Sequence, residues 1–155
     1  SDGEADGFTT LFDDPNFLIN AEGKPTHDPT WEFKIMGYYT FPWDILGSFY
    51  YRHFTGDTFT TTFRTDRGVL DQGRVTIKAV PRGSERLDAR NVFDLRLEKA
   101  VPIGQGNFKF TVDFFNLFNS GSITDIDARS EVVTFLEPTE FNTPREVRIG
   151  LRYQF

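Results

Sequence analysis

The chain contains no cysteine. Disulfides and thiolate metal sites are therefore excluded, and because neither a reducing nor an oxidising compartment demands cysteine, the absence does not choose between them. Histidine is nearly absent as well: His27 and His53 lie on separate segments, and two scattered imidazoles do not make a metal centre. Basic charge is in the minority, 17 Lys and Arg against 23 Asp and Glu for a formal net charge of -6. A nucleic-acid surface needs a basic face to displace counterions, so nucleic acid is excluded as an expected partner. No stretch approaches the roughly 18 to 20 consecutive apolar residues of a membrane helix. Ser1 is not preceded by a basic and apolar leader, so a mature chain or a piece of a longer one is expected.

What is abundant is aromatic: 18 Phe, 5 Tyr and 2 Trp in 155 residues. Aromatic residues form strands readily, and membrane barrels concentrate them where the bilayer meets water. A mean hydropathy of -0.41 does not argue against a barrel, since each lipid-facing side chain is diluted by a polar neighbour facing the lumen.

The strongest periodicity is in "REVRIGLRYQF", residues 145–155. Val147, Ile149, Leu151, Tyr153 and Phe155 alternate without error against Glu146, Arg148, Gly150, Arg152 and Gln154, the period of a strand with one apolar and one wet face. Four earlier segments share the pattern. Residues 30–41 set Trp31, Phe33, Ile35, Tyr39 and Phe41, with Gly37, against Glu32, Lys34 and Thr40. After a "PWD" turn, residues 45–54 return as a second strand. Pairing Phe41 with Ile45 would face Gly37 with Phe49 and Gly47 with Tyr39, so that a ring covers each glycine. It would also set Lys34 opposite Arg52, which demands a carboxylate such as Glu32 between them.

Residues 91–101 form a third strand, with Phe93, Leu95, Leu97 and Val101 against Asp94, Arg96 and Glu98. After "PIGQG", residues 107–119 form a fourth, with Phe108, Phe110, Val112 and Phe114 against Lys109, Thr111 and Asp113. Pairing Glu98 with Lys109 would place Arg96 diagonal to Asp113. Two residues depart from the pattern. Lys99 has apolar-face parity near a short turn, where a lysine can snorkel toward headgroups. Phe115 has polar-face parity, which reads as packing against a plug or as a bulge.

Between the strands lie long polar stretches: residues 1–29, 55–90 and 120–144. The middle one contains two strand-like runs, "TFTTTFR" and "RVTIKAV". Connections thus alternate long, short, long, short, long. Outer-membrane barrels sort their connections in this way, with short periplasmic turns and long outer loops. The expectation is an all-β, antiparallel up-and-down meander forming part of an outer-membrane β-barrel, with residues 1–29 as an extracellular loop and residues 30–155 as strands. Five strands cannot close such a barrel, which needs an even number of at least eight. The remainder would come from upstream chain or other subunits.

Three motifs, "RNVFDLRLEKAVPIG", "FKFTVDFFNLFN" and "EPTEFNTPREVRIGLRYQF", resemble the C-terminal end of TonB-dependent outer-membrane receptors, especially the Oar-like branch with a carboxypeptidase-regulatory-like domain. The D-x-F-N-x-F-N strand of that family corresponds to Asp113, Phe115, Asn116, Phe118 and Asn119; its final P-R-x-x-R-x-G-x-R-x-x-F strand corresponds to Pro144, Arg145, Arg148, Gly150, Arg152 and Phe155. The resemblance implies a wall segment of a nutrient transporter in the cell outer membrane, with lipid outside and the barrel-assembly machinery reading the last strand by β-augmentation. It implies energy supplied through the TonB complex by N-terminal parts that this sequence does not contain. On that reading Val147, Ile149, Leu151, Tyr153 and Phe155 are the assembly signal. Glu32, Lys34, Asp94, Arg96, Glu98, Lys109, Asp113, Arg148 and Arg152 face the lumen.

No cofactor, metal or catalytic group is expected. The acidic stretches "FDDPN" and "TDIDARSE" lack the calcium-loop pattern, and facing carboxylates such as Glu98 and Asp113 suit a charged lumen as well as glycosidase chemistry. The alternative from the same alternation is a soluble or surface-attached all-β binding module, in a multi-chain assembly, whose aromatic face packs a second sheet.

Overall fold

A computed structural model of the chain describes residues 15–66, 68–69 and 73–155. It is all-β and antiparallel, apart from single turns of 3-10 helix at Pro15–Leu18 and Pro42–Asp44. In chain order the strands are β1 (Glu32–Phe41), β2 (Ile45–Phe54), β3 (Thr58–Phe59), β4 (Thr62–Arg64), β5 (Thr76–Lys78), β6 (Glu85–Arg86), β7 (Arg90–Ile103), β8 (Gly106–Phe115), β9 (Ile123–Ile126), β10 (Pro138–Phe141) and β11 (Glu146–Gln154). They divide between two compact units.

One unit is an open five-stranded meander in the order β1–β2–β7–β8–β11. These are the five strands that alternation predicts, with ends moved by a few residues. The β1–β2 register is the expected one: Phe41 pairs with Ile45, Gly37 with Phe49 and Gly47 with Tyr39. The Phe49 ring lies over Gly37. Gly47 is covered instead by the diagonal neighbour Phe41, whose ring would be 2.7 Å from an added Cβ. Diagonal rings reach as far as opposite ones in an antiparallel pair.

The β7–β8 register differs from expectation by two residues. Glu98 pairs with Thr111 and Arg96 with Asp113, because the turn contracts to Gly104 and Gln105 and both strands extend into it. Gly104 has φ 65°, a conformation open to glycine at little cost. A two-residue shift keeps every side chain on its predicted face, and Glu98 still reaches Lys109 on the diagonal, at 2.7 Å. The fourth strand also ends earlier than its alternation suggests, at Phe115. Asn116 and Asn119 then turn the chain in the left-handed region, with φ of 48° and 53°, as short amide side chains tolerate.

The other unit gathers the described residues of the segments 15–30, 56–88 and 123–140, nearly the stretches that read as loops. Residues 1–14 of the expected first loop lie outside the described residues. The run "TFTTTFR" splits: β3 pairs with β6, and β4 pairs with β5. Thr58, Thr60 and Thr61 are buried where it breaks. Their polar atoms are satisfied: Thr58 Oγ1 donates to Pro25 O at 2.6 Å, Gly83 N donates to Thr60 Oγ1 at 2.7 Å, and Thr61 bonds the Glu85 carboxylate through both N and Oγ1. Among the described residues of this unit Val75 is the one buried apolar side chain, and buried polar side chains do most of the holding together, as buried hydroxyls allow when each is hydrogen-bonded.

Candidate functional site

The meander has two chemically opposed faces, and the strand pairings order each into rows. On one face the rows run Phe41–Ile45–Lys99–Phe110–Leu151, then Tyr39–Gly47–Leu97–Val112–Ile149, then Gly37–Phe49–Leu95–Phe114–Val147. Beyond these, Ile35, Tyr51 and Phe93 align, then Phe33, His53 and Asn91. Lys99 is the sole Lys, Arg, Asp or Glu among them.

Aromatic residues mark both ends of this face. Toward the short turns stand Tyr39, Phe41, Phe108, Phe110, Tyr153 and Phe155, with edge-on contact between Tyr39 and Phe41 and a 4.7 Å centroid separation between Phe108 and Tyr153. Toward the long connections stand Trp31, Phe33, Tyr51 and Phe93, the last 5.4 Å from Phe118. At this second end Tyr51 donates to Asn91 Oδ1 at 2.8 Å, and His53 Nδ1 lies 2.8 Å from the same oxygen. An amide oxygen only accepts, so Nδ1 carries the proton.

Nothing among the described residues packs over the apolar face. Ile149 is 79% exposed and Leu151 62%. An apolar side chain left in water forgoes about 1.5–3 kcal/mol. Contiguous exposed apolar surface of this kind marks an interaction face.

The opposite face carries all the sequence-predicted polar residues and brings most of them into contact. Lys34 and Arg52 are directly opposed, and each has found a carboxylate: Glu32 is 2.7 Å from Lys34, and Asp94 is 3.1 Å from Arg52. Glu98 joins Lys109 at 2.7 Å and Arg96 at 3.9 Å; Arg96 continues to Asp113 at 3.4 Å. Arg148 is paired in register with Asp113, yet its guanidinium bonds Glu146 at 3.2 Å and lies 5.2 Å over the Phe115 ring. Phe115 is thus covered by Arg148, and it pairs in register with Glu146 as the last pair of the β8–β11 ladder, with no bulge up to it. Arg152 pairs with Lys109 in register. Like charges are directly opposed in two rows, Lys34 with Arg52 and Arg152 with Lys109, and carboxylates on neighbouring positions offset the repulsion at Lys34, Arg52 and Lys109; a partly exposed pair of this kind is worth about 1 kcal/mol or less.

Sequence reasoning missed the role of Asn116, which is 3% exposed. Its backbone N donates to Asp94 Oδ1 at 2.9 Å, and its Nδ2 donates to Ser120 O at 3.0 Å and Thr143 O at 2.8 Å. Its Oδ1 accepts from Ser120 N at 2.9 Å, and Asn119 Oδ1 accepts from Arg145 N at 2.9 Å. The two asparagines therefore pin the chain leaving β8 to the chain entering β11. Both stand in the D-x-F-N-x-F-N motif, and that motif was the available signal.

Among the described residues, no three His, Asp or Glu side chains converge as metal ligands do. His27 donates its backbone N to Thr58 O at 2.9 Å. In "TDIDARSE" the Asp127 carboxylate is occupied by Arg129, at 2.9 and 2.7 Å, and by Thr134 at 2.8 Å. These donors hold its pKa well below the usual carboxylate range, Arg129 first and Thr134 second. Within "FDDPN", Phe12, Asp13 and Asp14 lie outside the described residues. No family model, curated protein or solved structure matches this chain.

Proposed function

We propose that the meander is a section of the wall of an outer-membrane β-barrel, of the kind found in TonB-dependent receptors, and that the protein contributes to nutrient uptake across that membrane. The observation that carries this reading is the bare apolar face, banded by aromatic residues, behind which every charge but Lys99 lies on the opposite face. A strand of 10 residues such as β1 extends roughly 33 Å, which at a tilt near 40° rises about 25 Å. That is the height of a barrel's lipid-facing band.

Connection lengths support the same reading. Pro42–Asp44 and Gly104–Gln105 turn at one end of the sheet, whereas both long connections leave from the other. Barrels place short turns in the periplasm and long loops outside. Among the described residues the edge strands β1 and β11 pair on one side only, and unmet backbone groups cannot face lipid, so on this reading further strands complete the wall. On this reading β11 is the strand recognised by the assembly machinery, and lumen charge comes from the Arg96–Glu98–Lys109–Asp113 network.

The test is fractionation of cells making the native protein. Recovery in outer membranes after a carbonate wash, a gel mobility that changes on boiling, and cleavage of intact cells only within residues 1–30, 55–89 or 116–145 are the expected results. A monodisperse, detergent-free protein with invariant mobility would replace this reading with the module whose aromatic face packs a second sheet.

A further inference from the structure

Lys99 is the one formal charge on a face otherwise made of apolar, aromatic and neutral residues, and it is half-buried there. Its row partners are Ile45 and Phe110, and Leu97 and Val101 flank it along the same face of β7. Among the described residues it makes no ion pair. The adjacent Glu98 points to the other face, where Lys109 and Arg96 occupy it. On the wall reading an ammonium on this face meets little water below the headgroups and needs an anion. No carboxylate of this sheet supplies one among the described residues.

The surroundings indicate what kind of anion. Lys99 stands in the row containing Phe41 and Phe110, next to the row of Phe108 and Tyr153, the aromatic band at the short-turn end. Aromatic bands lie at headgroup level, and a lysine stem covers apolar surface while its amine reaches that level. Resting on the wall reading above, we infer that Lys99 binds the phosphate of an anionic glycerophospholipid in the leaflet on the short-turn side, with Phe41, Ile45 and Phe110 bordering the upper acyl chain. A lysine at a membrane surface favours anionic over zwitterionic lipid by roughly fivefold.

The experiment uses the intact protein in its membrane, supplied with phosphatidylglycerol probes bearing a photoreactive group on either the headgroup or the acyl chain. Headgroup crosslinks are expected near Lys99, falling roughly fivefold in Lys99→Ala, retained in Lys99→Arg and absent in Lys99→Glu. Acyl-chain crosslinks at Ile149 and Leu151 are expected in all four proteins. Headgroup labelling unchanged in Lys99→Ala, with acyl-chain labelling intact, overturns the lipid site and leaves the wall reading standing. Absence of acyl-chain labelling at Ile149 and Leu151 overturns both.

Discussion

Leu97, Val101 and Ile103 lie on the same face of β7, and replacing each in turn by arginine measures what that face touches. Leu97 sits mid-strand between Gly47 and Val112. Ile103 pairs with Gly106 beside the turn. Each residue advances the strand about 3.3 Å, or roughly 2.5 Å along the membrane normal at barrel tilt. Val101 therefore stands about 10 Å nearer the interface than Leu97, and Ile103 about 15 Å nearer. Arginine on the lipid face costs roughly 2–4 kcal/mol at the midplane and about 0–1 kcal/mol at the rim. The expected series is a steep loss for Leu97→Arg, an intermediate one for Val101→Arg and almost none for Ile103→Arg. Lys99, between the first two, is near enough to the short-turn aromatic band for its stem to carry the amine to headgroup level on the wall reading. The assay is denaturant unfolding of each variant in lipid vesicles, followed by the gel-mobility difference between folded and boiled protein. Uniformly negligible costs would mean that the face meets water. Uniformly large costs would mean a protein interior, where depth in a bilayer has no meaning. Either flat profile refutes the reasoning.

Asn116→Ala should destabilise the meander by roughly 2–4 kcal/mol in the same unfolding assay, since it removes the three hydrogen bonds that this buried side chain makes to Ser120 and Thr143 and leaves at positive φ an alanine, without the short amide that lets asparagine tolerate that conformation. Asn116→Gly should recover about 1 kcal/mol of that by removing the backbone term alone. A double-mutant cycle on Glu98 and Lys109 should return a coupling of about 0.5–1 kcal/mol that shrinks with added salt, and a coupling of several kcal/mol would contradict the exposure of the pair. Asp127 has a folded pKa depressed by Arg129 and Thr134, so its ionised form is favoured by folding and its stabilising effect is complete above the ordinary aspartate value near 3.9. As pH falls below about 4 that effect fades. Hydrogen-exchange protection of Leu136 N, which bonds Asp127 O at 2.8 Å, should fall with it, and Asp127→Asn should flatten the dependence.

Alternation in the sequence was sufficient to place five strands and to assign each side chain to a face, because period 2 is a local property of extended backbone and survives an error of two residues in register. That is why Glu98 keeps its face and still reaches Lys109 although its opposite neighbour is Thr111. Tertiary structure alone decided the rest. Register between β7 and β8 depended on how tightly Gly104 and Gln105 turn, and the covering of Gly47 depended on which ring lay diagonal to it. The gathering of residues 15–30, 56–88 and 123–140 into a hydrogen-bonded unit could not be read from polar composition, since a threonine satisfied by Glu85 and one satisfied by water have the same sequence signature. Asn116 shows the same limit: burial and four hydrogen bonds, to residues spread from Asp94 to Thr143, arise only when strands distant in the chain are brought side by side.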